Sequence, residues 1–338
     1  MKQIYNAACE LMARHLKARS HKTAILYQAE SISYGELQEQ INRFGNVLKA
    51  LGIAPGERVA IALPDCPACV FSFLGSIKYG VWPILLSPQL SRATCAFILN
   101  DSQAAALFTV GASETLQAAS PYLRHLIRVD GADFTEMLGQ ASSDLDPCPS
   151  GEDDIAFLLY SSGSTGNPKG VPHRHRDMIF TADAYAGRVL RMSEDDRCFS
   201  ASKLFFAYGL GNSLAFPLFH GASVVLYPHA AMPGEVLEII SEYRPTLFFG
   251  IPTLYHQLLK ALDDSVSLAS LRLCVSAGEA LPAAVYERWR ELTGLEILDG
   301  IGSTEALHIF ISNRPGQVRP GTCGLLVPGY EARIVDDG

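Results

Sequence analysis

The residues best suited to chemistry lie in one short stretch, where an apolar strand runs directly into hydroxyl groups, glycines and a lysine. The stretch reads Tyr160-Ser161-Ser162-Gly163-Ser164-Thr165-Gly166-Asn167-Pro168-Lys169-Gly170. Glycines let backbone N–H groups approach a polyanion closely, and the hydroxyls and the lysine add donors and positive charge. The composition of this loop therefore predicts a phosphate-binding site.

The loop does not have the spacing of a Walker A motif. That motif needs Gly-x4-Gly-Lys-Ser/Thr, whereas here Gly163 and Gly166 precede Lys169 and Gly170 follows it. An NTPase that releases ADP is therefore a weaker hypothesis. A merely flexible Ser/Gly loop is the alternative interpretation, but the density of donors between a buried strand and a helix disfavours it.

The loop resembles the phosphate loop of the adenylate-forming superfamily, which includes acyl-CoA synthetases, peptide-synthetase adenylation domains and luciferases. Three further stretches follow in the order of that family, namely Ser276–Pro282, Asp299–Glu305 and Pro320–Glu331. They resemble the adenine-contacting motif, the motif whose Thr and Glu meet phosphate and Mg²⁺, and the segment leading into the ribose-binding strand. Within the superfamily, Lys203–Asn212 and Gly302–Phe310 look most like benzoate–CoA ligases.

The resemblance implies roles for individual residues. The residues implied to bind ATP and its phosphates are Ser161, Ser162, Gly163, Ser164, Thr165, Gly166 and Lys169. Those implied to contact adenine are Gly278, Glu279, Ala280, Asp299 and Gly300. The catalytic set comprises Lys169, Thr304 and Glu305, with Glu305 as the Mg²⁺ ligand. The implied cofactors are ATP and Mg²⁺, with CoA or a carrier-protein pantetheine as co-substrate.

The same resemblance implies a pocket for a carboxylic acid. Its lining would be Ala207, Tyr208, Ala277, Gly302, His308 and Ile309. Amino-acid-activating relatives usually place an Asp at the position of Ala207. A buried ammonium without such a partner is costly, so an amino acid is not the expected substrate. Ordinary core packing remains the alternative for these residues, and for His308 the two interpretations are about equally open.

The expected reaction follows from the fact that a carboxylate is a poor acyl donor, because its leaving group would be oxide. Transfer of the carboxylate to the α-phosphate of ATP gives an acyl-adenylate and releases pyrophosphate. Because both reactants are anions, cationic and dipolar groups must face the phosphates. The expected function is activation of a benzoate-like or short acyl acid for thioester formation with CoA. The alternatives are loading of a carrier protein, or a non-catalytic module that binds a carboxylate or nucleotide.

The pattern around these motifs alternates short apolar strands with amphipathic helices, which predicts an α/β fold with mainly parallel sheets. We expect the large N-terminal domain of the adenylate-forming fold: subdomains over residues 1–150 and 151–315, and the start of a small β subdomain over 316–338. A polar, Pro-rich linker is predicted over 140–153, a helix over 176–190 and a last strand over 330–335. The family's hinge and C-terminal domain, with its catalytic lysine, would lie beyond Gly338. We therefore expect this chain to be weak or inactive in the full reaction.

Composition limits the remaining possibilities. The 338 residues carry 27 Lys+Arg and 35 Asp+Glu, a formal net charge of −8, which argues against nucleic-acid binding. Residues 204–234 lack charged side chains, but polar residues and prolines interrupt them, so no membrane span is predicted. Eight scattered cysteines and an N-terminus without a secretory apolar region favour the reducing cytoplasm.

Overall fold

The computed structural model describes residues 4–111, 119–161, 166–263 and 266–335, and its strands form two sheets. The first sheet has six strands in the order β6-β5-β3-β4-β7-β8. All neighbouring strands in this sheet are parallel except β7 and β8, which form an antiparallel hairpin. The strands are β3 Arg58–Ala62, β4 Trp82–Leu85, β5 Ala106–Thr109, β6 His125–Arg128, β7 Ile155–Ser161 and β8 Lys169–Arg174.

The second sheet has nine strands in the order β15-β14-β13-β12-β11-β9-β10-β1-β2. Its centre is parallel, and β10, β11 and β12 are buried along their whole length, as continuous apolar strands covered on both faces should be. The strands at both edges pair in the antiparallel direction, β1 with β2 at one edge, and β14 with β13 and β15 at the other. The strands are β1 Thr23–Tyr27, β2 Glu30–Ser33, β9 Arg197–Ser200, β10 Ser223–Leu226, β11 Leu247–Gly250, β12 Leu273–Ser276, β13 Ile297–Gly302, β14 Ile309–Ser312 and β15 Leu325–Leu326.

Helices cover the sheets and supply most of the remaining core. They are α1 Ala7–Arg19, α2 Tyr34–Ala50, α3 Pro67–Tyr79, α4 Arg92–Ser102, α5 Ala132–Gln140, α6 His175–Thr181, α7 Ala207–Leu210, α8 Phe216–His220, α9 Pro233–Tyr243, α10 Pro252–Ala261 and α11 Ala283–Thr293. Helix α2 shows why the sequence folds in this way. Ser33 and Glu36 form a reciprocal capping box at its start, and its apolar stripe, including Leu37 and Phe44, is buried.

The α/β fold class predicted from the sequence is confirmed, but the strands do not divide at residue 150. The hairpin β7–β8 lies beyond that residue and pairs with β4 in the first sheet. The hairpin β1–β2 lies before it and pairs with β10 in the second sheet. The limits 1–150, 151–315 and 316–338 therefore do not follow sheet membership, and as domain boundaries they stay a prediction.

Three local expectations meet different outcomes. The predicted linker is anchored to α2, because Asn42 Nδ2 donates to the carbonyl of Ser143 over 2.6 Å and Arg43 Nη1 to that of Ala141 over 2.6 Å. The helix predicted over 176–190 is regular only to Thr181 and continues as a π-helical turn over Ala182–Gly187. The strand predicted over 330–335 is wrong, since the described residues there have no regular structure.

Among the described residues, no helix is both long and apolar enough to cross a bilayer. This agrees with the interpretation of residues 204–234 as interior. In the structure that stretch contains α7, a π-helical segment over Gly211–Ala215 and α8, which follow one another directly, and then β10, all largely buried.

Candidate functional site

All six residues predicted for the acid pocket line one cavity of about 310 Å³. They are Ala207, Tyr208, Ala277, Gly302, His308 and Ile309. The other lining residues are Ser202, Phe206, Ile251, Gly278, Ser303 and Thr304. The described lining contains no Asp, Glu, Lys or Arg, so the cavity is suited to an uncharged, mainly apolar group.

The cavity forms where neighbouring parallel strands end. Strands β11, β12 and β13 are adjacent and parallel, so the residues that follow them, Ile251 and Ala277, and Gly302 at the end of β13, meet at one edge of the sheet. Gly302 is needed there, because a Cβ at this position would lie 2.5 Å from the backbone oxygen of His308. The topology therefore brings together residues that are far apart in sequence.

The remaining wall comes from the loop between β9 and α7 and from α7 itself. Asp65, which follows β3 of the first sheet and is buried, accepts a hydrogen bond from the amide of Leu204 over 3.0 Å. Burial raises the pKa of Asp65 to about 6. This contact ties the loop that carries Phe206 and leads into Ala207 to the end of a strand in the other sheet.

Two aromatic groups define the inner part of the cavity. The Tyr208 hydroxyl donates to the carbonyls of Gly250 and Val275 over 3.3 and 3.4 Å, and burial raises its pKa well above the usual range. The ring of His308 lies 5.4 Å from that of Tyr208 and is 3% exposed. Burial lowers the pKa of His308 to about 3, so the imidazole is neutral at physiological pH. His308 is thus both packed in the core and part of the cavity wall.

The predicted phosphate loop lies between β7 and β8, which pair as an antiparallel hairpin. Register in this hairpin places Ser161 opposite Lys169, so the two ends of the loop are held side by side. Lys169 is exposed, and Gly166 has φ +102°, in the left-handed region that glycine tolerates. Ser162, Gly163, Ser164 and Thr165, which were predicted to bind phosphate, lie outside the described residues.

A second cavity of about 630 Å³ adjoins the first. Ser161 and Pro168, at the two ends of the loop, line it together with Thr304. Phe206 and Thr304 line both cavities. The start of the phosphate loop and the acid pocket therefore meet at Thr304, which was predicted to be catalytic.

The residues predicted to contact adenine are divided between surface and interior. Gly278 lines the acid cavity, whereas Glu279 and Ala280 are exposed, and Glu279 accepts a hydrogen bond from the Thr253 hydroxyl over 3.0 Å. Gly300 is buried, and a Cβ there would lie 2.8 Å from the side chain of Ile309.

Asp299 is the buried charged member of this group. Its Oδ2 accepts a hydrogen bond from the amide of Leu281 over 3.2 Å, and its Oδ1 has no partner among the described residues. Burial raises the pKa of Asp299 to about 6. A buried carboxylate with one unsatisfied oxygen is costly to keep, which is typical of a group retained for binding.

Glu305 lies in the turn between β13 and β14 and is exposed next to Thr304. A single accessible carboxylate suits Mg²⁺, which usually takes one or two carboxylates together with phosphate oxygens and water. In the described part of the chain, no group of three or more His, Cys, Asp or Glu side chains is arranged to hold a metal ion. Glu305 is therefore compatible with a metal that arrives with the nucleotide.

The sequence predictions missed four residues of the cavity wall: Ser202, Phe206, Ile251 and Ser303. Phe206 and Ser303 lie within stretches that carried the family resemblance, so they could have been found there. Ile251 follows β11 and carries no local signal. Only the order of the strands places it beside Ala277.

The fold and the position of the site define an enzyme class. The model of the family described as AMP-binding enzyme matches residues 12–338, and the chain belongs to this family. The expectation drawn from the sequence motifs is thereby confirmed.

Individual relatives are named for aromatic acids. The chain is 44% identical to the benzoate–CoA ligase of Thauera aromatica over 98% of its own length and 65% of that protein. It is 39% identical to the 4-hydroxybenzoate–CoA/benzoate–CoA ligase of Rhodopseudomonas palustris over 98% of its length and 64% of that protein. The chain thus spans slightly less than two thirds of these curated relatives.

Solved structures agree with this assignment. The anthranilate CoA ligase AuaEII in complex with anthranoyl-AMP matches with a TM-score of 0.95 and 40% identity, over 100% of this chain and 67% of that one. The benzoate CoA ligase of Burkholderia xenovorans LB400 matches with a TM-score of 0.90 and 39% identity, over 99% of this chain and 70% of that one. The chain therefore has the fold of these ligases.

Proposed function

We propose that this protein activates an aromatic, benzoate-like carboxylic acid with ATP, forming an acyl-adenylate and releasing pyrophosphate, for thioester formation with CoA. The observation that carries the proposal is the uncharged cavity lined by Tyr208 and His308, which meets the cavity lined by Ser161 and Pro168 at Thr304. This arrangement suits an acid whose apolar end is buried and whose carboxylate faces a phosphate site.

Residues of the two cavities, together with Lys169 next to Pro168 and Glu305 next to Thr304, can offset the repulsion between the two anionic reactants. A carboxylate oxygen bonds to the α-phosphorus while the bond from that phosphorus to pyrophosphate breaks, so negative charge moves onto the leaving group. Lys169 supplies a cation, and Thr304 supplies a hydroxyl donor. Glu305 would hold Mg²⁺, which neutralises phosphate charge when bound. The remaining role of the site is to position the two reactants.

The cavity favours a single aromatic ring. Its volume of about 310 Å³ is at the small end of ligand pockets, and its wall is formed by aromatic and small side chains. The neutral His308 offers no charge to a carboxylate, whereas Ser303 and Thr304 supply hydroxyls at the other end. The names of the relatives, which refer to benzoate, 4-hydroxybenzoate and anthranilate, support this substrate class.

CoA as acceptor, and the cytoplasm as location, belong to the same proposal. The relatives named above are CoA ligases, which supports CoA. All eight cysteines are free thiols in the structure, which suits a reducing compartment. A carrier protein as acceptor has no support from these relatives.

Nucleotide binding tests the site assignment directly. Calorimetry with ATP·Mg²⁺ should show affinity about tenfold or more lower in Lys169→Ala and Glu305→Gln, because each variant removes a charge-assisted contact to phosphate or metal. Lys49→Ala and Glu39→Gln, both exposed on α2, are the matched controls and should bind as the wild type does. Unchanged affinity in both site variants would refute the assignment.

Product analysis tests the reaction. With benzoate and ATP, the chain should release pyrophosphate and form benzoyl-AMP, detectable by mass spectrometry. Release of ADP would indicate phosphoryl transfer instead. Binding of benzoate and ATP without pyrophosphate release would favour a non-catalytic binding module.

A further inference from the structure

A chain of three hydrogen bonds, of which the two nearest His308 are buried, leads from a backbone carbonyl to the ring of His308. The Ser200 hydroxyl donates to the carbonyl of Ser202 over 3.0 Å, and Asn212 Nδ2 lies 3.3 Å from Ser200 Oγ. Asn212 Oδ1 lies 3.1 Å from His308 Nε2. Ser200, Asn212 and His308 are 3%, 0% and 3% exposed, and Ser202 at the end of the chain is half-buried.

The direction of every bond in this chain follows from the carbonyl at its end. A carbonyl oxygen only accepts, so the single hydrogen of Ser200 is committed to Ser202. Ser200 Oγ can then only accept, so Asn212 must turn its Nδ2 towards Ser200 and its Oδ1 towards His308. Because that oxygen cannot donate, His308 must carry its proton on Nε2.

The surroundings of His308 agree with this tautomer. Nδ1 has no hydrogen-bond partner among the described residues, which is less costly for a lone pair than for an N–H group. The ring is held by Phe216 and Tyr185, with centroids 4.5 and 5.2 Å away. Gly211 packs against its edge, since a Cβ there would lie 2.8 Å from Nε2. The imidazole therefore has little room to turn over.

We infer that Ser200 and Asn212 are positioning residues for the acid, acting through His308. They fix the imidazole as the Nε2–H tautomer in one orientation, with its only N–H facing protein acceptors, Asn212 Oδ1 and a backbone carbonyl of Tyr208. His308 consequently has no proton to offer a carboxylate, and the acid binds with its ring against His308 and its carboxylate at the Thr304 end. The tautomer stands on geometry alone, while the role in acid binding rests on the proposed function.

Nitrogen NMR of the ¹⁵N-histidine-labelled 338-residue chain tests the tautomer. His308 is assigned by the signals lost in His308→Phe. The wild type should show an unprotonated Nδ1 and a protonated Nε2, and Ser200→Ala should show a mixture of tautomers, because Asn212 then loses one of the contacts that set its orientation. Ser200→Thr, which keeps the hydroxyl, should restore the single form. A wild-type Nδ1–H tautomer would overturn the inference even if Ser200→Ala failed to fold.

Calorimetry with benzoate as the probe tests the effect on the acid. Ser200→Ala should bind benzoate about three- to tenfold more weakly than the wild type, as expected for one lost buried hydrogen bond, and Ser200→Thr should recover most of the loss. ATP affinity should be the same in all three proteins. Equal benzoate affinity in the wild type and Ser200→Ala would overturn the positioning role. The two claims can fail separately. If NMR shows the expected tautomer but no aromatic acid leads to pyrophosphate release, the assignment of His308 is supported and the proposed function is refuted.

Discussion

Asp299 offers a direct way to measure the stability cost of a candidate binding residue. The residue is 6% exposed, and one of its carboxylate oxygens has no partner among the described residues. Asn is nearly isosteric and keeps an oxygen that can accept from the amide of Leu281. Asp299→Asn therefore removes the charge while preserving the main contact.

The size of the effect follows from the pKa. Burial raises the pKa of Asp299 from 3.8 to about 6, which corresponds to about 3 kcal/mol of free energy of unfolding. Between those two values the native state binds more protons than the unfolded state. The contribution of Asp299 to stability is therefore complete below the unfolded pKa and is lost as the pH rises through about 6. Relative to the wild type, Asp299→Asn should gain about 3 kcal/mol between about pH 4 and about pH 7.

Urea unfolding at a series of pH values measures this difference. Asp65, whose pKa burial also raises to about 6, is present in both proteins and cancels in the comparison. Asp133→Asn, at an exposed position on α5, is the matched control. A difference between Asp299→Asn and the wild type that stays constant across the pH range would refute the reasoning.

Three further predictions concern the cavity and the N-terminal helix. Gly302→Ala places a methyl group 2.5 Å from the backbone oxygen of His308, so benzoate affinity measured by calorimetry should fall about tenfold or more. Ala207→Asp puts a carboxylate into an uncharged cavity, and the same titration should show a loss of at least about tenfold. His175 Nδ1 accepts from the amide of Ala7 over 3.0 Å, and burial lowers its pKa from 6.5 to about 4. The contribution of His175 to wild-type stability should therefore fall by about 3 kcal/mol as the pH drops from 6.5 to about 4. In urea unfolding, His175→Asn, which keeps an acceptor, should gain that amount relative to the wild type over the same pH range.

Matched variants separate these effects from general damage. Gly139→Ala has open space around the added methyl group and should leave benzoate binding unchanged. His21→Asn removes an exposed histidine and should keep the wild-type pH profile. Wild-type benzoate affinity in Gly302→Ala or Ala207→Asp would contradict the argument about the cavity. A stability of His175→Asn that depends on pH between 6.5 and about 4 as the wild type does would contradict the argument about His175.

Much of the site could be predicted because its chemistry is encoded locally. Residues such as Ala277 and Gly302 directly follow or end buried strands, and parallel strands bring their carboxyl ends to one edge. Motifs placed at those positions must therefore converge. Thr304 joins both cavities for the same reason, since it follows β13.

What could not be predicted depends on neighbours that are distant in sequence. Ile251 is an ordinary apolar residue until strand order places it beside Ala277. The apolar pattern over 176–190 does not show that the helix widens into a π turn after Thr181. Residues 330–335 have a strand-like composition, but in the structure they pair with neither sheet.

The pairing of β1 with β10 has a consequence for synthesis on the ribosome. Ile25 pairs with Val224, about 200 residues later in the chain. Until that later strand emerges, the β1–β2 hairpin has an unpaired backbone edge, and the packing on its two faces is incomplete. A two-stranded hairpin is marginally stable in water and its edge invites association with other nascent chains. The N-terminal hairpin should therefore become protected from proteases only after β10 has emerged, although it is among the first parts of the protein to be translated.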